Sequence, residues 1–317
     1  MLPGTNYPKT TTSLSLSGFL VIDKPTGLTS FDVIRQLKKI TGIKHIGHTG
    51  TLDPLATGVL VVGFNKATRL FEFLNHDKIY TAEILLGATS DTYDTDGQVT
   101  KKASIKKQGQ TLWEQLGSDP VFPTLAEIQT ALTGFTGKIE QIPPSFSAIK
   151  IQGQKAYELA RQGKTVVLKA RPVIIHQIQI LDYQFPSLKL QISCSAGTYI
   201  RSLAHDLGEK LGCGGCLAGL RRLQAGQFTL AQSIPLKQLS SANWQGYFLP
   251  LEIIFNELLA VEINEKELDQ LQKGQDVSRT DLPTDKCYFS LVYQKSLVGI
   301  GKYQSDSQKI KPFKILT

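Results

Sequence analysis

The sequence predicts a fold that mixes helices and strands, with a large first domain and a small C-terminal β domain. Apolar runs of strand length alternate with segments in which apolar residues recur every three or four positions, as on one face of a helix. The 317 residues exceed what a single hydrophobic core usually supports. From about residue 251 the chain has only short strand-like runs separated by polar turns.

The first elements follow an N-terminal stretch, residues 1–17, which is rich in Ser and Thr and is expected to be a disordered extension. Residues 18–25, GFLVIDKP, form an apolar run ended by proline and predict a strand. In the next segment Ser30 can cap a helix and Gly42 can end it. The predicted inner face of this helix consists of Val33, Ile34, Leu37 and Ile40.

Two strands, an insertion and a helix are predicted in the middle of the chain. VLVVGF (59–64) predicts a buried strand and KIYTAEILLG (78–87) a longer one. Residues 100–123 break the pattern with Lys, Gln, Gly and Pro, which indicates an inserted surface loop. A helix is predicted around 124–133, and the paired prolines of the following IPPSFSAIK forbid regular structure there.

The last part of the first domain, which we expect to cover residues 18–250, combines a strand and a helix. LKLQISCSAGTYIRSLAHDLGEKLG gives an alternating strand, a glycine turn and an amphipathic helix. In the C-terminal domain, expected over 251–317, CYFSLVY and SLVGIGKY are the strand-like runs. The predicted inner face of the helix consists of Ile200, Leu203, Ala204, Leu207 and Leu211.

Positive charge is concentrated in the first domain. The chain has 35 Lys plus Arg against 27 Asp plus Glu, for a net charge of +8 and a pI near 9.2. Residues 1–250 hold 26 of these basic and 17 of these acidic side chains. This balance favours a polyanionic partner such as a nucleic acid, although a merely soluble surface could carry the same charge.

Three classes of protein are disfavoured by the sequence. The four cysteines are scattered, which does not suit a disulfide framework and fits a reducing cytosol. No apolar run approaches the ~20 residues of a membrane span. The opening residues lack the apolar core of a secretory signal and the arginines of a transit peptide. We therefore expect a cytoplasmic protein without membrane contact.

Five motifs occur in order between about residue 18 and residue 238: DKPTGLTS, GHTGTLDPLATGVL, GATSDTYDTDG, PPSFSAIK and GTYIRSLAHDLG. Together they resemble the TruB-type tRNA pseudouridine synthases, the bacterial relatives of guide-RNA-dependent pseudouridine synthases. The ordered set is far more specific than any one motif. The resemblance implies isomerisation of uridine 55 in the TΨC loop of tRNA, without a cofactor or a metal.

The resemblance also implies an architecture. We expect an α+β fold with a large mixed, mainly antiparallel sheet, flanking helices and a central RNA-binding cleft. The C-terminal β domain would be PUA-like and would add RNA contacts.

Asp53 is the candidate nucleophile. Pseudouridine formation breaks an N-glycosidic bond, turns the uracil and rejoins it through carbon, so one partner must be held covalently, and a carboxylate can do this. Taken alone, an Asp before Pro in a loop is more often a turn former. The resemblance assigns Asp53 the nucleophilic role, and whether it attacks the sugar carbon or the uracil ring stays open.

Arg201 is the residue that the resemblance pairs with Asp53. An ionised carboxylate in a closed pocket is costly without a nearby cation, and a guanidinium can bind both of its oxygens while staying charged. The alternative is an arginine at the start of an amphipathic helix that points to water. Its position after a glycine turn, beside Tyr199, favours the pocket.

The target base must leave its stack, and an extruded base is held by aromatic and apolar groups. The resemblance gives Tyr80 the role of stacking on this base, with a possible part in proton transfer. Otherwise Tyr80 would be a half-buried strand residue and Leu220 would be plain helix core. The other substrate-binding candidates are Tyr199 and Leu220 as pocket walls, His48 as the residue that enters the RNA, and Lys24, which can also support the loop together with Pro25.

Phosphate contacts are expected from clustered basic residues, because such contacts supply most sequence-independent affinity. Residues 147–171 contain six Lys or Arg and one Glu. The alternative is a solvated helix face. The candidate phosphate contacts are Lys150, Lys155, Arg161, Arg221 and Arg222.

Two local features depart from this assignment. CGGC (213–216) has the spacing of half a zinc site, but a structural zinc normally needs four ligands and only Cys194, Cys287 and a nearby His205 remain. The motif set commonly has a tyrosine where this chain has Phe146, which removes one hydroxyl. We expect no metal site and an intact catalytic pair.

Two rival functions stay open. A non-catalytic tRNA-binding or folding chaperone would open the tRNA elbow without chemistry, and a guide-RNA-dependent pseudouridine synthase would act within a multiprotein particle. The complete catalytic set favours an enzyme, and the HTGTLDPLATG motif favours one that acts alone. We therefore expect a monomer whose partner is tRNA and which has no obligate protein partner.

Overall fold

The fold is taken from a computed structural model of the chain, which describes residues 16–101, 106–107, 110–111, 122–147, 149–151, 153–164 and 167–316. Residues 1–15 of the predicted N-terminal extension lie outside the described residues. Most of the predicted 100–123 insertion lies outside them as well.

Five α-helices occur in the described part of the chain. The helix predicted after residue 29 is capped by Thr29, whose hydroxyl accepts a hydrogen bond from the Asp32 amide at 3.1 Å, so the prediction of Ser30 as the cap is wrong by one residue. Gly42 ends this helix at a φ of +72°, as predicted. The helices are α1 (Ser30–Thr41), α2 (Leu125–Thr133), α3 (Ala156–Arg161), α4 (Ile200–Lys210) and α5 (Glu265–Gln272).

The strands of the described residues include those predicted at 18–25, 59–64 and 78–87. They are β1 (Gly18–Lys24), β2 (Ile46–Thr49), β3 (Thr57–Phe64), β4 (Lys78–Leu86), β5 (Ala88–Ser90), β6 (Val99–Lys101), β7 (Lys106–Lys107), β8 (Gln110–Thr111), β9 (Gly137–Gln141), β10 (Lys150–Ile151), β11 (Gln154–Lys155), β12 (Arg171–Gln184), β13 (Ser187–Cys194), β14 (Gly215–Ala225), β15 (Phe228–Thr229), β16 (Ile234–Pro235), β17 (Ala260–Glu262), β18 (Val277–Ser278), β19 (Tyr288–Tyr293), β20 (Ser296–Gln304) and β21 (Lys309–Ile315).

A ten-stranded sheet forms the centre of the molecule, in the order β16-β1-β3-β14-β4-β13-β12-β9, with β2 paired to β3 and β15 to β14. The β1–β16 and β3–β14 pairs are parallel and the other neighbours are antiparallel. The predicted large mixed, mainly antiparallel sheet is therefore confirmed. Because β14 lies between β3 and β4, it brings Leu220, Arg221 and Arg222 beside the start of β3 and beside Tyr80.

The two faces of the sheet are covered by different parts of the chain. Successive side chains of β1 point to opposite faces, as the strand geometry requires. Leu20 and Ile22 pack in the cluster that includes the buried faces of α1 and α4. Phe19 and Val21 pack in a second cluster with Leu297 and other residues of the C-terminal part. Helices thus cover one face, and the C-terminal part covers a portion of the other.

The C-terminal part forms a five-stranded sheet in the order β17-β19-β20-β21-β18. The predicted C-terminal β domain is confirmed, and its own core includes Phe289, Leu291 and Ile310. Ile300 and Leu316 point instead into the cluster shared with Phe19. None of the helices in the described chain segments is long and apolar enough to cross a membrane.

Some elements were not predicted. The 14-residue strand β12 has an apolar alternation, Val173 and Ile175 and then Ile178 and Ile180, but its phase changes at a register shift between Ile175 and Gln177. AGLRRL, for which the alternative to a pocket role was a helix core, belongs to strand β14. The polar residues of this segment adopt a strand conformation because β14 is hydrogen-bonded to β3 and β4, and not because of an apolar alternation in the sequence.

The shared apolar cluster predicts that the two sheets unfold together. Ile300→Ala removes a fully buried side chain from this cluster and should cost about 2–5 kcal/mol of unfolding free energy. Denaturant unfolding followed by circular dichroism and by tryptophan fluorescence should show one shared transition at a lower midpoint. Ile174→Ala, at a position that is 43% exposed on β12, is the control and should leave the midpoint almost unchanged. Two separate transitions would contradict the shared core.

Candidate active site

The loop between β2 and β3 presents Asp53, and short residues bring its backbone against the rest of the domain. Gly58 has a φ of +100°, and a Cβ at this position would lie 2.2 Å from the Arg222 carbonyl oxygen. Only glycine fits, which lets the end of the loop enter β3 directly against β14. At the start of α1, the Ser30 hydroxyl accepts a hydrogen bond from the Leu52 amide at 2.9 Å and donates one to the Leu52 carbonyl at 3.1 Å. The residue before Asp53 is therefore fixed.

Lys24 supports the other side of this loop. Its ammonium donates to the carbonyls of Leu28 at 2.6 Å, Pro25 at 2.9 Å and Pro54 at 3.4 Å. Lys24 has no exposed surface, and burial lowers its pKa to about 8. Loop support fits this geometry. A direct substrate-binding role for Lys24 does not, because its polar atoms face backbone carbonyls inside the fold.

Arg201, in the first turn of α4, forms the predicted pair with Asp53. Its Nε lies 3.0 Å from Asp53 Oδ2, and its Nη2 donates a hydrogen bond to Asp53 Oδ1 at 3.3 Å. The side chain of Arg201 is 7% exposed, whereas that of Asp53 is 39% exposed. The guanidinium thus forms the floor of the site, and the carboxylate stays open to a ligand.

Asp94 is a member of the site that was not predicted from the sequence. Arg201 Nη1 lies 3.4 Å from Asp94 Oδ2, and the Asp94 side chain is buried. The turn between β5 and β6 holds Asp94 Oδ1 by hydrogen bonds from the Thr92 hydroxyl at 2.5 Å and the Asp96 amide at 3.1 Å. The available signal was its place in DTYDTDG, where three aspartates compete for the assignment.

Arg201 also donates to two carbonyl groups, those of Thr92 and Phe146, each at 3.1 Å. The contact at Phe146 is made by backbone, so the exchange of tyrosine for phenylalanine at this position leaves it intact. One side chain on α4 therefore ties together the Asp53 loop, the turn that carries Asp94 and the segment after the paired prolines.

The charge state of Asp53 is set by opposing effects. Burial raises the pKa of Asp53, and the nearby Asp94 carboxylate raises it further. The Arg201 guanidinium and Lys24 lower it, but burial is the largest influence. The site therefore holds a carboxylate whose ionised form is less stabilised than that of a surface aspartate.

Tyr80 lies on β4 directly opposite Arg222 of β14. Its side chain is buried, and burial raises the pKa of its hydroxyl, which Arg222 opposes both by its charge and by a hydrogen bond. The charge of Asp53 raises the pKa of Tyr80 as well. It does the same for Tyr199, so both tyrosines lie within electrostatic reach of the carboxylate.

The remaining pocket candidates lie on elements that border the site. Tyr199 precedes α4, and its backbone N–H and C=O are both hydrogen-bonded to the Gln141 side chain, at 2.8 and 3.0 Å. Leu220 lies on β14 and is half-buried. His48 lies on β2, burial and Arg222 lower its pKa, and its Nδ1 has no hydrogen-bond partner within the described chain.

The two arginines predicted as phosphate contacts on β14 have different surroundings. Arg222 is fully buried, and its Nε and Nη2 donate to the carbonyls of Val59 at 2.6 Å and Gly50 at 2.7 Å. It cannot contact a phosphate at the surface, so that prediction is wrong for Arg222. Arg221 is 42% exposed and pairs with Asp23 at 2.8 Å, so it stays a candidate.

The basic segment 147–171 is only partly described. Lys150, Lys155 and Arg161 lie on β10, β11 and α3, but the positions of their side chains lie outside the described part of the structure. The three stay predictions. Cys213 and Cys216 are buried, and nowhere in the described residues do three His, Cys, Asp or Glu side chains come together as a metal site would require.

Comparison with known families connects this geometry to a set of enzymes. The family described as TruB family pseudouridylate synthase (N terminal domain) matches residues 38–200, and the tRNA pseudouridylate synthase B C-terminal domain matches residues 201–255. The chain is 39% identical over 301 residues to tRNA pseudouridine synthase B of Clostridium novyi (strain NT), covering 93% of this chain and 99% of the relative. It is 49% identical over 218 residues to the tRNA pseudouridine synthase B of Protochlamydia amoebophila (strain UWE25), covering 68% and 76%.

Solved structures share the fold. A chain from the structure of an H/ACA RNP bound to a substrate RNA containing 2'-deoxyuridine has a TM-score of 0.68 and 21% identity, covering all of this chain and 92% of that chain. A chain from a Cbf5-Nop10-Gar1 complex has a TM-score of 0.66 and 24% identity, covering 100% and 91%. At these identities the likeness shows the architecture alone.

The neighbouring arginines of β14 allow a matched test of their different surroundings. Arg222→Met leaves the buried carbonyls of Gly50 and Val59 without their donor, which should cost about 1–3 kcal/mol of unfolding free energy. Arg221→Met removes a partly exposed ion pair and should cost less than about 1 kcal/mol. Denaturant midpoints of the two variants check this. Equal midpoints would contradict the structural role of Arg222.

Proposed function

The chain belongs to the TruB family of pseudouridylate synthases, and on this premise we propose that it is a tRNA pseudouridine synthase. The substrate that we propose is uridine 55 in the TΨC loop of tRNA. The observation that carries the proposal is an accessible carboxylate, Asp53, held by the buried Arg201 beside Tyr80 and Tyr199.

The reaction needs a group that holds one fragment while the other turns. The N1–C1′ bond of the uridine breaks and a C5–C1′ bond forms, the hydrogen on C5 leaves as a proton, and N1 takes up a proton. A carboxylate can act as the temporary covalent partner. Asp53 fits because its loop is fixed at Leu52 and its carboxylate oxygens remain accessible.

Arg201 keeps Asp53 ionised in a site where burial opposes ionisation. A guanidinium cannot be deprotonated in a protein, so this support is independent of pH. Arg201 also fixes the direction of the carboxylate, since Nε and Nη2 approach different oxygens. The carboxylate is therefore already oriented before the substrate binds.

The base would be held by the residues around the carboxylate. An extruded uracil requires a flat partner and an apolar wall, which Tyr80, Tyr199 and Leu220 can provide. Tyr80 is a candidate for moving the C5 proton, because its hydroxyl is buried near both Arg222 and Asp53. His48 is the candidate for occupying the space that the base leaves in the RNA.

The alternatives are less well supported. A chaperone without chemistry does not require an accessible nucleophile paired with a buried arginine. A guide-RNA-dependent enzyme shares the fold, but the curated relatives that match most of this chain are tRNA pseudouridine synthases. We propose that the protein acts as a cytoplasmic monomer without an obligate protein partner, that it needs no cofactor, and that the C-terminal sheet is a PUA-like domain that adds RNA contacts.

Asp53→Asn tests the nucleophile. The amide has nearly the shape of the carboxylate but cannot attack, so tritium release from uracil C5 of a tRNA transcript should fall to background. Binding to the same tRNA at the same salt should persist, since phosphate contacts supply most of the affinity. Asp182→Asn, an exposed position on β12, is the charge-matched control and should release tritium at the wild-type rate.

Asp53→Asn removes one of the two carboxylates that pair with the buried Arg201, so the variant should be somewhat less stable than the wild type. A melting curve at neutral pH checks that it stays folded. A folded wild type that binds tRNA without releasing tritium would favour the chaperone. Equal release by wild type and Asp53→Asn would identify a different nucleophile.

The pH dependence of kcat/KM should report the ionisation of Asp53 in the free enzyme. Activity requires the anion, so it should be lost as the pH falls through a pKa that lies above 3.8, the ordinary value for aspartate. Asp94→Asn removes a carboxylate that raises this pKa and frees Arg201 for Asp53, so the acid limb should move to lower pH. Asp182→Asn should leave the limb in place, and a shift to higher pH in Asp94→Asn would contradict the assignment.

A further inference from the structure

Tyr93 holds an unusual backbone conformation directly beside Asp94. Its φ is +64°, a region that glycine occupies freely and that side chains with a Cβ enter at a cost of order 1 kcal/mol or more. Such a conformation persists when the surroundings fix it. Here the Tyr93 amide donates to the Ser90 carbonyl at 3.2 Å, and the Tyr93 carbonyl accepts from the Leu217 amide at 2.9 Å.

The ring of Tyr93 is held as well. It stacks on the imidazole of His205 with ring centroids 3.9 Å apart and an angle of 5° between the planes. Within the described chain, neither residue forms an ion pair or a hydrogen bond with Asp53, so the stack is separate from the Asp53–Arg201 contacts.

Helix α4 connects the stack to the site. Arg201 and His205 are four residues apart and so project from the same face of the helix. The first contacts Asp94 and the second contacts Tyr93, the preceding residue. Helix α4 thus contacts the turn between β5 and β6 at two adjacent residues, Tyr93 and Asp94. The hydrogen bonds from Thr92 and Asp96 fix the Asp94 carboxylate within the turn, and the planar contact on the adjacent residue fixes the turn itself against α4.

A role for the stack in binding RNA is less consistent with its surroundings. Burial raises the pKa of Tyr93, and the charges of Asp206 and Glu209 raise it further, which places carboxylates near the ring. Aromatic platforms for nucleic acid bases usually lie in grooves lined by cations that track the phosphates. The acidic neighbourhood favours an internal role.

We propose that the Tyr93–His205 stack is a positioning pair for the isomerisation: it fixes Asp94, and through Asp94 and Arg201 it orients the carboxylate of Asp53. This inference rests on the proposed function. It assigns to the two rings an effect on the rate of the chemical step and none on the affinity for tRNA.

The test distinguishes the effect of the aromatic ring on kcat from the effect of backbone strain at Tyr93. Tyr93→Ala and His205→Ala should lower kcat by about 10- to 100-fold, the scale of a small misplacement of a reacting group, with KM unchanged. Tyr93→Phe and His205→Phe keep a planar ring and should retain the wild-type kcat. Tyr93→Gly accepts the positive φ without strain but lacks the ring, so it should be as slow as Tyr93→Ala even if it is more stable.

Two further variants decide whether the effect passes through Asp94. The double variant Tyr93→Ala/Asp94→Asn should be no slower than Asp94→Asn alone, because the stack has nothing left to position. Tyr247→Ala, which removes a tyrosine ring that is 43% exposed and belongs to a different segment, should keep the wild-type kcat. Melting temperatures confirm that each variant is folded.

The outcomes distinguish this proposal from the function on which it rests. A folded wild type that does not isomerise tRNA would overturn both. Wild-type turnover with an unchanged kcat in Tyr93→Ala and His205→Ala would overturn the positioning role alone. So would slow Phe variants, a rise in KM without a change in kcat, or multiplicative losses in the double variant.

Discussion

The site depends on one buried guanidinium that two carboxylates share. Arg201 contacts Asp53 on one edge and Asp94 on the other, and its remaining capacity goes to the carbonyls of Thr92 and Phe146. Because a buried arginine cannot shed its charge, it must be surrounded by acceptors. Satisfying it draws three segments, distant in sequence, to the first turn of α4, and this convergence forms the site around Asp53.

A second buried arginine has a different task. Arg222 donates to the carbonyls of Gly50 and Val59, on either side of the Asp53 loop, and lies opposite Tyr80 on the neighbouring strand. Its charge lowers the pKa of His48 and opposes the effect of burial on Tyr80. Arg201 stabilises the ionised form of Asp53, the proposed nucleophile, and Arg222 holds the Asp53 loop beside Tyr80.

Elements with a strong local pattern could be predicted from the sequence. Features that depend on tertiary contacts, such as the burial of a particular side chain, could not. The periodicity of α4 and the apolar runs of β1, β3 and β4 were sufficient. Arg221 and Arg222 are adjacent and chemically identical, and only their alternation across strand β14 makes one half-exposed and the other buried. Since β14 lacks a clear apolar alternation, that difference could not be read from the sequence.

The role of Asp94 could not be predicted from the sequence either. In DTYDTDG each aspartate can form a turn, and only the position of Arg201, more than a hundred residues later, selects one of them. In this arrangement Tyr93 has a positive φ, and burial together with the Asp94 charge raises the pKa of Asp53. Both features cost stability, and neither would be needed to bury Arg201, for which a single well-formed pair would suffice. Both features lie beside Arg201, as expected for a fold that keeps the partly desolvated Asp53 carboxylate available for reaction.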